Sequence, residues 1–119
     1  MLKNHNPLHD DALRAFRGAY KKTKAPIWRD AEKRIQKSRS RRTQVNLNRI
    51  AKATDKNDVV LVPGKVLGGG SISHKLVVGA FSFSEAAFNG ISSAGGETLF
   101  IQEFTERYPK GKGVKLIDG

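Results

Sequence analysis

The chain has 119 residues and no cysteine, so one domain is expected, and disulfides, thiolate metal sites and cysteine nucleophiles are excluded. No apolar run approaches the roughly 18–20 residues of a membrane-spanning helix, and the first residues lack the apolar stretch of a signal peptide, which predicts a cytoplasmic protein. The net charge of +11 indicates a polyanionic partner.

That charge is distributed unevenly along the chain. Residues 1–56 hold sixteen Lys and Arg against five Asp and Glu, whereas residues 57–119 hold six of each. Such asymmetry is typical of a nucleic-acid or membrane-surface contact joined to an ordinary folding unit. We therefore predict one domain, 1–119, with a basic helical binding segment at 1–44 and an α/β core at 45–119.

The first predicted element is a helix from Pro7 to about Lys22, because Asn6 followed by Pro7 is a typical pair at a helix start. Apolar residues recur along one side with helical spacing, and basic residues repeat that spacing one position later, roughly 100° around the helix. The apolar stripe is expected in the core and the basic stripe in solvent. These stripes are Leu13, Phe16 and Tyr20, and Arg14, Arg17 and Lys21.

A second helix with the same two stripes is predicted from Ile27 to about Lys37, opened by Pro26. Trp28, in phase with the apolar stripe, is interpreted as a core residue rather than a base-stacking platform. The stripes are Trp28, Ala31 and Ile35, and Arg29, Lys33 and Lys37. Three arginines then follow within residues 38–43, which lack apolar side chains and are predicted to form a loop or arm suited to bidentate phosphate contacts. The arginines are Arg39, Arg41 and Arg42.

The rest of the chain predicts strands alternating with helices. Apolar runs at 59–62 and 75–81 are continuous, which is typical of strands buried on both faces. The pair Pro63-Gly64 is expected to end the first run as a turn, and Ser82 to Glu85 is a capping-box pattern that opens a helix to about Ala94. The other predictions are a strand at 45–48, a helical turn at 49–54, a strand at 98–99, a helix with Phe100, Ile101, Phe104 and Tyr108 on its inner face, and a strand at 114–117.

The glycine-rich stretch 64–71 resembles a phosphate-binding loop only superficially. Val59 stands where the nucleotide-loop pattern requires a glycine. Two interpretations of Gly68–Gly70 stay open: a tight turn that needs positive φ, or backbone amides that approach a phosphate. Lys65 and Lys75 would flank that phosphate.

Other polar candidates are weaker. His74 has no carboxylate close in sequence to orient its ring, and no third ligand accompanies His5 and His9, so neither a catalytic nor a metal site is predicted. Asn46 and Asn48 share one side of the predicted short strand. They could contact base edges or 2′-hydroxyls, or they could be solvated.

Four ordered segments together resemble one family. They are Ala25–Asp30, Arg41–Ile50, Val62–Gly68 and Ala94–Gly96. In them the chain resembles the archaeal and eukaryotic large-subunit ribosomal protein eighteen family, which is distantly similar to bacterial large-subunit protein fifteen. The resemblance implies an irregular superhelix of β-β-α units after the basic helices, and a structural, non-catalytic role in translation without a cofactor.

The resemblance also implies large-subunit ribosomal RNA as the partner, with neighbouring ribosomal proteins, within the cytoplasmic ribosome. It implies neither a membrane nor a small-molecule substrate. The residues expected to contact RNA are Arg14, Arg17, Lys21, Lys22, Lys24, Arg29, Lys33, Arg34, Lys37, Arg39, Arg41, Arg42, Asn46, Asn48, Arg49, Lys65 and Lys75. Two alternatives are a small enzyme or phosphate-ligand-binding domain that uses the Gly68–Gly70 loop and His74, and a non-specific nucleoid DNA binder.

Overall fold

The computed structural model describes residues 7–36 and 43–118. Within them the elements are α1 (Pro7–Thr23), α2 (Pro26–Ile35), β1 (Thr43–Asn46), α3 (Leu47–Ala53), β2 (Val59–Leu67), β3 (Val77–Phe83), α4 (Glu85–Ser93), β4 (Glu97–Phe100), α5 (Ile101–Arg107) and β5 (Val114–Leu116). The predicted α/β class with N-terminal helices is confirmed. The succession of β2, β3 and α4 is one β-β-α unit.

The strands form one sheet in which every pairing is parallel. The order across it is β1–β2–β3–β4, and β5 also pairs with β2. β1 lies against Gly64–Leu67 and β5 against Val59–Leu61, so these two short strands share one edge of β2. Since all strands run the same way, their carboxyl ends meet at one edge of the sheet.

Helices cover both faces of this sheet. In β2, Val60 and Val62 lie in a core with α3 and α4, whereas Leu61 lies in a second core with α1, α2 and α5. Successive side chains of a strand point to opposite faces. The continuous apolar run therefore does mark a strand buried on both faces, as predicted.

The two N-terminal helices supply much of the second core. Trp28 is fully buried, with its ring centroid 6.1 Å from that of Phe16 and 6.3 Å from that of Phe104 on α5. Its Nε1–H donates to the carbonyl of Pro109 at 2.8 Å. The core assignment of Trp28 is confirmed, and the basic helices fold together with the second half of the chain rather than apart from it.

The predicted turn at Pro63-Gly64 is wrong, because β2 continues through both residues to Leu67. The pairing between β2 and β3 shifts register between Val62 and Lys65. An irregularity of this kind accommodates proline, which has no N–H to donate to the ladder.

The helix α4 begins later than the capping-box pattern predicts. Ser82 belongs to β3, and Ser84 is the N-cap, with its Oγ accepting from the Ala87 N–H at 3.1 Å. The inner-face prediction is also wrong for Phe100, which caps α5 and is 50% exposed, whereas Phe104 is fully buried. The strand predicted at 45–48 ends at Asn46, because α3 starts immediately after it.

An ion pair joins β5 to the loop before β2 and makes the stability of the fold depend on pH in the acid range. Lys115 Nζ lies 2.9 Å from Asp58 Oδ2, which also accepts from the Asp55 N–H at 2.7 Å. The Asp55 amide, followed by the Lys115 ammonium, holds the pKa of Asp58 below its ordinary value of 3.8. A lowered folded-state pKa means that this stabilisation is present above the unfolded pKa and is lost as the pH falls through the folded one.

We therefore expect Asp58→Asn to be less stable than the parent at neutral pH and to lose less stability on acidification. The measurement is the urea midpoint from about pH 6 down to pH 2, below the ordinary carboxyl range. Parallel curves for the two proteins over that interval would contradict the role of Asp58.

Candidate nucleic-acid interface

The outward surface of α1 and α2 carries the predicted basic stripes. The apolar stripes of both helices pack inward, so the positions one residue further along face solvent. Only two residues join the helices, and the helices pack against each other. We call the exposed surface the basic helical face; it consists of Arg14, Arg17, Lys21, Arg29 and Lys33.

A shallow groove of about 410 Å³ runs between the two helices on this face, lined by Arg17, Tyr20, Arg29, Glu32, Lys33 and Gln36. Arg17 Nε donates to Glu32 Oε2 at 2.7 Å. One carboxylate therefore accompanies three cations, and the groove keeps a positive charge. A surface ion pair of this kind is worth little by itself, so an incoming phosphate can compete for the arginine.

Tyr20 holds two cations at the edge of the groove, Arg29 of its lining and one more, Lys24. The Arg29 guanidinium lies 5.0 Å from the centroid of its ring, and Lys24 Nζ lies 5.4 Å from it. Lys24 adopts a left-handed backbone, with φ 60°, and its N–H donates to the Tyr20 carbonyl at 2.7 Å. Two cations held on one aromatic ring lose less freedom when they bind an anion. The sequence predicts Tyr20 only as part of the apolar stripe, although Lys24 lies four residues later, at helical spacing.

Several cations of this region have no ion-pair partner among the described residues. They include Lys21, Lys22 and Lys33, which are all exposed. Arg14 pairs with Asp11 at 3.2 Å, and both side chains are at least half exposed. The predicted contacts Lys37, Arg39, Arg41 and Arg42 lie outside the described residues and stay predictions.

Two of the residues predicted to contact RNA, Arg34 and Arg49, also hold the C-terminal segment. Arg34 Nη1 forms an ion pair with the Asp118 carboxylate, and Arg49 Nη2 donates to the Asp118 carbonyl at 3.0 Å. Arg34 Nε is buried and has no hydrogen-bond partner among the described residues. These arginines connect α2 and α3 to the segment that follows β5, a structural task that sequence separations of 84 and 69 residues concealed.

Lys65 and Lys75 are both exposed, but the structure separates them. Lys65 pairs with Ser82 near the carboxyl end of β3, whereas Lys75 precedes the amino end of that strand. Seven residues of extended chain correspond to roughly 23 Å. They therefore do not flank one phosphate at the Gly68–Gly70 loop.

The loop itself packs against the start of α3. Asn46 Oδ1 accepts from the Gly69 N–H at 2.9 Å, and the Asn48 N–H donates to the Gly69 carbonyl at 2.9 Å. Gly70 has φ +87°, and a Cβ there would lie 2.5 Å from the Cβ of Asn48. The expected positive φ is confirmed at Gly70. The Gly69 N–H and the Asn46 side-chain oxygen are hydrogen-bonded to each other.

Gly70→Ala is expected to destabilise the protein more than Gly95→Ala. Gly95 has a similar φ of +81°, but nothing lies within 4 Å of its would-be Cβ, so that variant reports backbone strain alone. We expect backbone strain to lower the free energy of unfolding by about 1 kcal/mol in each variant. Only Gly70→Ala should lose more, because its Cβ collides with Asn48. Urea unfolding of both variants measures the difference, and equal midpoints would contradict the close packing of the loop.

His74 has a structural partner. Thr54 Oγ1 donates to the Ile50 carbonyl at 2.8 Å and lies 2.8 Å from His74 Nε2. The two side chains therefore form a hydrogen bond with each other. In residues 7–36 and 43–118 there is no group of three or more His, Cys, Asp or Glu that could hold a metal ion. None of the helices in that same part of the chain is long and apolar enough to cross a membrane.

Comparison with known proteins identifies the family. The sequence model of the family described as "Ribosomal protein 60S L18 and 50S L18e" matches residues 3–119. The chain belongs to this family. It is 38% identical over 116 residues to the large ribosomal subunit protein eL18 of Methanococcus maripaludis, covering 98% of this chain and 97% of that protein.

Two other archaeal members are similar to this chain over most of its length. The eL18 protein of Archaeoglobus fulgidus is 44% identical over 96 residues, covering 81% of this chain and 82% of that protein. That of Methanothermobacter thermautotrophicus is 35% identical over 121 residues, covering 99% and 100%. The predicted resemblance to the L18 family is confirmed over nearly the whole chain.

Proposed function

We propose that this protein is a structural component of the large ribosomal subunit and binds large-subunit ribosomal RNA through the basic helical face. The observation that supports this most strongly is the outward exposure of that whole face, including the cations that surround Tyr20. Membership in a family of large-subunit ribosomal proteins supports RNA as the polyanion that such a surface meets.

The basic helical face acts by supplying fixed countercharge. RNA helices that pack together need cations between their phosphates, and each phosphate neutralised by Lys or Arg releases condensed counterions. The buried stripes pack the helices into the second core, so the backbone positions from which the cations extend are set before RNA arrives. Contacts of this type position a protein on the backbone without reading the base sequence.

We propose that Arg39, Arg41 and Arg42 add further phosphate contacts. Residues 37–42 connect the end of α2, next to Lys33, to the start of β1. Arg39, Arg41 and Arg42 have no acidic residue beside them in sequence, so phosphates are their natural partners. Residues 1–44 are thus the RNA-binding segment, while folding involves the whole chain.

The proposed role is structural, in the cytoplasmic ribosome, with neighbouring ribosomal proteins as further partners. No catalytic residue and no cofactor enter it. The enzyme alternative depended on His74 and the Gly68–Gly70 loop, and both are engaged in contacts that stabilise the fold.

The experiment is to express a tagged copy in an archaeal cell and to sediment large subunits through buffer of high ionic strength. We expect the protein to stay with the large subunits, while an unrelated protein of equal net charge is washed away. Recovery with chromosomal DNA, or release with the soluble fraction, would contradict the proposal.

A further inference from the structure

Gly18 occupies the outermost position of α1. At roughly 100° per residue it lies roughly 160° around the helix from Phe16, the fully buried residue of the apolar stripe. Apart from the helix's own backbone, no atom lies within 4 Å of the Cβ that any other residue would place there. The backbone at Gly18 is helical, so neither space nor conformation requires a glycine.

A glycine at this position weakens the free protein. After proline, glycine is the least favourable residue in a helix interior, because it loses the most backbone freedom on folding. No packing contact offsets that loss, since a side chain at Gly18 would extend into solvent. A glycine of this kind is typical of a place where a partner approaches the backbone closely.

Exposed cations border Gly18 along α1. Arg14 precedes it by four residues, and Lys21 and Lys22 follow it by three and four, so all three are its neighbours on the helix surface. Lys21 and Lys22 have no ion-pair partner among the described residues. Arg14 pairs with Asp11, but both side chains are at least half exposed, and such a pair is weak enough for a phosphate to compete. The missing side chain therefore leaves a gap between cations.

Two shallow depressions meet at Gly18, and their charges differ. The first, of about 440 Å³, is lined by three cations, Arg14, Arg17 and Lys21, and by one carboxylate, Asp10. Because Arg17 also lines the α1–α2 groove, this depression adjoins that groove. The second, of about 390 Å³, lies between α1 and α5 and holds two cations and two carboxylates. These are Arg14, Lys22, Asp11 and Glu106. The excess of positive charge therefore extends from the groove across α1 to Gly18 and is balanced beyond it.

We infer that the phosphodiester backbone of an RNA strand crosses α1 at Gly18, where the missing side chain lets it reach van der Waals contact with the helix backbone. Arg14 and Lys21 contact phosphates on the two sides of the crossing. Three cations against one carboxylate in the first depression favour a phosphate chain over a protein segment. The inference rests on the proposed function and names the point where RNA comes closest to the basic helical face.

Gly18→Gln fills the gap with a neutral side chain and leaves every cation in place. We expect its urea midpoint to exceed that of the parent, because glutamine is the better helix former and has open space around it. Its affinity for protein-free large-subunit RNA near 0.1 M salt should nevertheless fall on the order of tenfold, as for the loss of one or two phosphate contacts. A general loss of folding would move both values down together.

Two further variants complete the experiment. Gly18→Ala adds only a Cβ, so it should also raise the urea midpoint but weaken RNA binding less than Gly18→Gln. The matched control is Ser92→Gln, which places the same side chain at an exposed position of α4, on the opposite face of the sheet. Its affinity for RNA should equal that of the parent.

Gly18→Gln that binds RNA as tightly as the parent would overturn the inference. If its affinity for protein-free RNA were unchanged while its incorporation into large subunits fell, the occupant would be a neighbouring protein, which also overturns it. Urea midpoints below the parent's for both Gly18 variants would contradict the open space at this position.

The proposed function is tested separately by neutralising Lys21, Arg29 and Lys33. If that change weakens RNA binding and Gly18→Gln does not, the basic helical face binds RNA and only the crossing at Gly18 is wrong. If neither change weakens binding, both the inference and the RNA-binding role of this face are wrong.

Discussion

Trp28→Ala is expected to lower the free energy of unfolding by about 3–5 kcal/mol, the cost of truncating a large buried aromatic. Such a loss is a large part of the roughly 5–15 kcal/mol that holds a small domain together. Trp28 is fully buried, contacts the rings of Phe16 and Phe104, and donates to the Pro109 carbonyl. Its removal opens a cavity where α1, α2 and α5 meet the sheet.

Two control variants separate the loss of the Trp28 hydrogen bond and the general effect of removing a ring from the loss of buried packing. Trp28→Phe keeps an aromatic ring but leaves the Pro109 carbonyl without its donor, so we expect an intermediate loss. Phe88→Ala truncates a half-exposed ring and should cost less than either. Urea unfolding followed by circular dichroism gives all three values. A midpoint for Trp28→Ala equal to that of Phe88→Ala would show that the N-terminal helices do not share the core.

Much of the fold could be predicted because the local signals were strong. Pro26 opens α2, and the helical spacing of Trp28 and Ile35 marked their burial correctly. The continuous run at 59–62 identified a strand covered on both faces. At Pro63 the local sequence predicted a turn, and this was wrong because β2 keeps pairing with β3 after a register shift. That pairing depends on the neighbouring strand and is not visible in the residues around Pro63.

The candidate site was predictable in its charges but not in its contacts. Periodicity showed which cations share a face of α1 and of α2, because that depends on helix geometry alone. The partners of Arg17 and Arg34 are Glu32 and Asp118, which approach through tertiary packing. The depression between Gly18 and α5 likewise forms only when α1 is placed beside α5.

Neutralising the basic helical face is expected to have the largest effect on function. The variant combines Lys21→Gln, Arg29→Gln and Lys33→Gln, all exposed residues. If each contacts one phosphate, the affinity for large-subunit RNA should fall on the order of 100-fold near 0.1 M salt. The side chains lie outside the core, so the urea midpoint should change little.

The matched control removes the same charge elsewhere. Lys52→Gln, Lys56→Gln and Lys112→Gln also lower the net charge by three, and these lysines are exposed outside α1 and α2. Long-range attraction to RNA is reduced equally in both variants, so a difference between them reports local contacts. We expect the control to bind within a few-fold of the parent.

The salt dependence of RNA binding is the most direct test of phosphate binding by the basic helical face. The measurement is the slope of log affinity against log salt concentration for the parent, the face variant and the control, each titrated with large-subunit ribosomal RNA. We expect the slope of the face variant to be shallower than that of the parent by about 2–3, because each lost phosphate contact removes about 0.7–0.9, and the slope of the control to be unchanged. Equal slopes for the face variant and the control would contradict a phosphate-binding role for the surface of α1 and α2.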